Sequence, residues 1–219
     1  MKRFVFATIF CSILFLCSNV KAQNKIENFF TGSVNLGYIE NASDINSALE
    51  RTFSDYKKKS ISQASINFGM GLFLCNNFTL NYEIGYLAGN RTVGNQFKEL
   101  YGGNMSLYFG YSFLRKPKFE LEAITGCKLS ADYFLYNHKN SDNTVNSFNS
   151  TSLNTFIPIG VIFWTKYKNG DFKDKAFGIR ATYNFLIGRS DAKITGLNIK
   201  ADVISPASNS LWLGLIFRI

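Results

Sequence analysis

Several kinds of chemistry are scarce in this chain. Its 219 residues include one histidine, His138, and four cysteines, two of which (Cys11 and Cys17) lie in the first apolar stretch. A Cys/His cluster for a structural or catalytic metal therefore has too few ligands. No cofactor is expected. Charged residues make up only 18% of the chain and prolines number three, so long extended segments can run unbroken. Beyond the N-terminus the longest apolar run, 157–164 (IPIGVIFW), falls far short of the roughly 20 residues that a spanning helix needs. A chain of this kind can cross a membrane only as a closed barrel.

The first 22 residues have the layout of a secretory signal. Lys2 and Arg3 form the basic start, 4–16 the apolar core, and Val20-Lys21-Ala22 a cleavage site before Gln23. The competing anchor reading fails on length, and bulky Phe10 and Leu16 precede the two cysteines where lipidation needs a small residue. The domain division is thus 1–22 signal peptide and 23–219 barrel. Without Lys2, Arg3 and Lys21 the net charge is +6 instead of +9. The remaining cations gather between strands, at Lys57–Lys59, Arg115–Lys118 and Lys166–Lys175, and not on an aromatic-rich face. No nucleic-acid partner is expected.

Period-two alternation governs the rest. Segment 210–219 (SLWLGLIFRI) sets Leu211, Leu213, Leu215, Phe217 and Ile219 against Ser210, Trp212, Gly214, Ile216 and Arg218. In 61–73 the contrast is sharper, with Ala64, Ile66, Phe68, Met70 and Leu72 opposite Gln63, Ser65, Asn67, Gly69 and Gly71. Five further segments, 30–39, 78–88, 100–113, 119–131 and 176–188, alternate in the same way, and 153–164 is read as an eighth strand. Strands with lipid on one side and a crowded lumen on the other read like this. Segment 153–164 is apolar on both faces, and Pro158 cannot donate to a ladder, so a bulge or break is expected there.

The connections 74–77, 114–118 and 165–175 are short, whereas 40–60, 89–99, 132–152 and 189–207 read as long loops. Such alternation is that of short periplasmic turns and long outer loops. Phenylalanines near one set of strand ends and tyrosines near the other suit interfacial girdles. Cys75 falls in a turn and Cys127 on a lipid-facing strand position, so two free thiols are expected.

With these features the chain resembles the small outer-membrane β-barrel proteins of Gram-negative bacteria, the OmpA-barrel and OmpX-like, porin-family group. The resemblance implies an all-β fold, an eight-stranded antiparallel up-and-down transmembrane barrel in the cell outer membrane, preceded by the cleaved signal. It also implies periplasmic chaperones and the barrel-assembly machinery as biogenesis partners, recognising the terminal residues Leu213, Leu215, Phe217 and Ile219. The family commonly ends in an aromatic residue, whereas this chain ends in Ile219.

Inward-phase charges form the main candidate site: Glu83, Glu120, Glu122, Lys128 and Arg180, with Arg218 near the rim. In a narrow lumen they must pair, and Glu83 and Glu122 are expected to meet Arg180 and Lys128. A filled structural lumen is the leading reading and a narrow passive channel the alternative. His138, with Ser141 and Asp142 in a polar loop, is the remote candidate for a lipid A-modifying enzyme, but nearness in sequence is not geometry. No catalytic residue is expected. A soluble carrier barrel would put its apolar side inward and charges outward, the reverse of this pattern. The remaining expectation is a monomer in contact with outer-membrane lipids and lipopolysaccharide, its loop ligand unknown, with Lys57–Lys59 placed to meet phosphates.

Overall fold

The computed structural model describes residues 27–39, 49–51, 53, 56–57, 60–75, 77–140, 142, 144–167, 175–190, 193–196 and 208–219. The signal segment, Lys58, Lys59 and Ser141 lie outside them. Among the described residues nine strands are formed: β1 Glu27–Ile39, β2 Ser62–Cys75, β3 Phe78–Val93, β4 Gln96–Arg115, β5 Phe119–Lys139, β6 Val145–Lys166, β7 Ala176–Arg189, β8 Lys193–Gly196 and β9 Ser210–Arg218. Eight of them join antiparallel neighbours in sequence order, and β9 closes the ring between β7 and β1. The four-residue β8 instead pairs with the upper part of β6, at Phe148–Thr151. The fold is a closed eight-stranded antiparallel barrel.

Phase along each strand decides what faces where. On β1, Phe30, Val34, Leu36 and Tyr38 are exposed outside, while Thr31, Ser33 and Asn35 are buried inside. The same division holds around the ring, so that Leu36 is 68% exposed and Asn35 beside it 4%. β9 docks in the register expected of a closing strand, with Leu215 opposite Val34 and Leu213 opposite Leu36. The last residue of the chain, Ile219, exchanges two backbone hydrogen bonds with Phe30.

Two expectations need correction. The stretches 89–99 and 132–152 are not long loops: β3 and β4 continue to a two-residue turn at Gly94 and Asn95, and β5 and β6 to a connection at 140–144. Gly94, with φ of 61°, takes the left-handed conformation that such a turn requires. The polar residues there hid the strands although the alternation persists through them, with Phe134, Tyr136 and His138 continuing the inward phase of Ser130 and Asp132. Cys75 ends β2 and does not lie in the turn, and Cys127 is a free thiol. At Pro158 the β5 ladder is interrupted between the Thr125–Ile159 and Lys128–Phe156 pairs, and the bulge facing β7 falls nearby, between Thr155 and Phe156.

Candidate functional site

Eight strands leave an interior just wide enough for side chains, and here it is filled in three tiers. In the middle tier, Arg180 of β7 reaches across the lumen to Glu83 of β3. Its Nη1 donates to both carboxylate oxygens at 2.8 and 2.9 Å. Nη2 donates to Ser33 Oγ at 2.8 Å and Asn35 Oδ1 at 3.1 Å on β1. Asn81 adds a bond to Glu83 Oε1 at 2.9 Å, and the guanidinium lies 5.3 Å from the Tyr108 ring centre. Both charges are nearly fully buried. Together these contacts make a spoke tying β1, β3 and β7.

At the short-turn end the centre is Glu120, fully buried, which meets Lys166 Nζ at 3.0 Å, Arg218 Nη2 at 3.3 Å and Arg115 Nε at 3.5 Å, with Ser112 donating to its other oxygen. Arg218 lies under the faces of Trp164 and Phe73, 4.5 and 5.0 Å from their ring centres. Glu122 accepts from Trp164 Nε1 at 2.7 Å and from Thr79. The expected Glu122–Lys128 pair therefore does not form. Arg218, placed at the rim from the sequence, is a full member of this tier. A cavity of about 20 Å³ separates it from the spoke, room for a single water.

The upper tier holds Lys128, whose Nζ stands 4.7 Å from the Trp212 ring centre. Asp132 accepts from Asn154 Nδ2 at 2.7 Å and from Ser130. Above it the inward surface becomes apolar: Leu87, Leu100, Phe134, Tyr136, Phe148 and Trp212 form one buried cluster with Leu49 and Phe53 from the β1–β2 connection. Leu49 and Phe53 are joined by one helical turn, the Phe53 amide donating to the Leu49 carbonyl at 2.8 Å, so both project the same way. Beside them Lys98 Nζ donates to Tyr56 Oη at 2.6 Å and sits 4.3 Å from its ring centre. These residues form a hydrophobic stopper in the barrel mouth. The i, i+4 pair Leu49/Phe53 and the inward-phase aromatics above Asp132 are the signals that sequence reasoning could have used to find it.

His138 is not on an open loop. It lies on β5 facing inward, its ring stacked on Phe53 with centres 4.7 Å apart. Asp142 accepts from the Thr144 amide at 3.0 Å and its hydroxyl at 2.6 Å. The bonds to Thr144 hold its carboxyl below the usual aspartate range. The two candidates are thus engaged separately. Among the described residues, no group of three or more His, Cys, Asp or Glu is placed to hold a metal.

The terminal residues Leu213, Leu215, Phe217 and Ile219 all face outward. Phe217 lies over Gly32, where any Cβ would meet its ring at 2.1 Å.

No protein-family model matches the sequence, and no curated protein matches it. Solved structures do resemble the fold. Neisserial surface protein A is 12% identical, with a TM-score of 0.44 over 90% of this chain and 99% of that one. Ail, the attachment invasion locus protein of Yersinia pestis, is 11% identical at 0.43 over 88% and 97%. A major outer membrane protein from Thermus thermophilus is 11% identical at 0.47 over 87% and 99%. The barrel itself rests on the closed ladders of this chain.

Proposed function

We propose that this chain is an integral outer-membrane barrel with a filled lumen and a stoppered mouth, a structural and surface-presenting protein without conductance or catalysis. The observation that carries the proposal is the inversion of a soluble barrel. Outward positions from Phe30 to Phe217 are apolar and exposed, while the ion pairs and amides are inside. Such an outer face costs about 25 cal/mol for each Å² held in water, and hydrocarbon removes that cost. Closure of every ladder leaves no strand edge to lipid within the ring.

On this reading the short turns face the periplasm, and the tall β3–β4 and β5–β6 hairpins stand outside with β8 against them. A narrow channel is the weaker reading, because the Arg180 spoke and the stopper block the lumen in series. Planar-bilayer recording of a sample verified as folded by heat-modifiable gel mobility tests this. Silence is expected, and steady unitary openings would overturn the filled-lumen reading. For catalysis, replacing His138 is expected to leave lipid A mass unchanged, and altered acylation would show an enzyme.

A further inference from the structure

On the outer wall, three consecutive rows of paired outward residues cross β3, β4, β5 and β6. The lowest reads Ile84, Met105, Leu129 and Thr155, and the highest Ala88, Tyr101, Tyr133 and Thr151. Between them the row is Tyr86, Gly103, Ala131 and Leu153. Its two central positions carry almost no side chain, and an ideal Cβ on Gly103 meets nothing nearer than the Gly85 carbonyl at 3.9 Å. Between this row and the highest lies a surface hollow of about 560 Å³, lined by Tyr101, Gly102, Ala131, Tyr133, Thr151 and Leu153 and within the roughly 300–1,000 Å³ of small-molecule sites.

Tyr101 and Tyr133 roof the hollow, their ring centres 4.7 Å apart. One side is Leu153, fixed by a bond from its amide to Ser190 Oγ at 2.9 Å and one from the Ser190 amide to its carbonyl at 2.8 Å. The floor is backbone already paired in the β4–β5–β6 ladders, and the nearby Asp132 carboxylate is turned inward to Asn154. The next outward row below Ala131 holds Met105 and Leu129, both exposed on the apolar wall. An apolar slot that is continuous with the lipid-facing surface, has no charge on its floor and has hydroxyls at its upper end suits a hydrocarbon tail whose polar end emerges at the interface.

We infer that this hollow binds one acyl chain of a membrane lipid, held as a resident ligand of the barrel wall. The inference rests on the membrane reading above. To test it, the full chain is refolded into phosphatidylethanolamine–phosphatidylglycerol vesicles, extracted in mild detergent and weighed intact by native mass spectrometry. Wild type is expected to retain one phospholipid. Ala131→Phe and Thr151→Phe, both at positions that line the hollow, should lower that occupancy about tenfold, while Ile66→Phe elsewhere on the outer wall leaves it unchanged. Retention by the filled variants equal to wild type, or wild type carrying detergent only, would overturn the inference. Should Ala131→Phe fail to fold, Thr151→Phe, at an exposed lining position, carries the comparison. Heat-modifiable mobility of wild type scores insertion separately: a chain that never inserts sinks the membrane reading as well, whereas one that inserts without retaining lipid sinks this inference alone.

Discussion

Arg180 illustrates how a charge is made tolerable in a narrow polar interior. Its two terminal nitrogens meet a carboxylate, a hydroxyl and an amide oxygen, so little of its hydration is left unreplaced. Arg180→Ala strands the Glu83 carboxylate in the lumen, and an unpaired buried charge costs about 3–5 kcal/mol. Urea unfolding in detergent micelles should show that loss, and unchanged stability would refute the pairing. Replacing both partners, as Glu83→Leu with Arg180→Met, should recover most of it, because no uncompensated charge remains. That Arg180 and Glu83 face inward was legible from phase. Which inward charge meets which was not. Phase fixes the side of the wall, but strand stagger fixes height, and height placed Glu122 beside Trp164 and left Lys128 with Trp212.

At the scale of elements, the tall hairpins and the stopper depend on each other. Leu100, Phe134, Tyr136 and Phe148 continue the inward phase above the belt, and Leu49 and Phe53 supply their cover. Phe53→Ala should lower the local opening free energy of this cap by about 3 kcal/mol, read as faster amide hydrogen exchange across 49–57 with the membrane strands unaffected. The cap should also respond to pH. Burial, with Arg91 nearby, lowers Lys98 from 10.5 to about 8. A base with a depressed value opposes docking while protonated. Below pH 8 the docked cap bears the whole penalty, between 8 and 10.5 docking strengthens as the docked amine loses its proton first, and above 10.5 the penalty is gone. Tyr56 acts in the opposite sense above pH 10, since burial and Glu50 raise its phenol beyond the ordinary value. Exchange across 49–57, corrected for intrinsic rates, should therefore slow from about pH 8 to about 10, and Lys98→Met should abolish that change. A flat profile in the wild type would show that Lys98 does not couple to docking.

For the whole molecule, the apolar exterior and the polar interior answer to different solvents. The barrel should aggregate when detergent is removed without lipid and fold when vesicles are supplied, a contrast visible in light scattering and gel mobility. Deleting the stopper segment should leave the lumen electrically silent, because the Arg180 spoke and the Glu120–Arg218 tier still cross it. Openings in that variant alone would identify the stopper as the sole barrier.

The eight barrel strands and the inside and outside of each were determined by the sequence alone, because a period of two is a local property of the chain. Hairpin height, the partners of each buried charge, the stopper over the mouth and the hollow beneath Tyr101 and Tyr133 were decided by the tertiary structure. These depend on curvature, stagger and contacts between residues far apart in sequence, and local alternation carries no record of such distances.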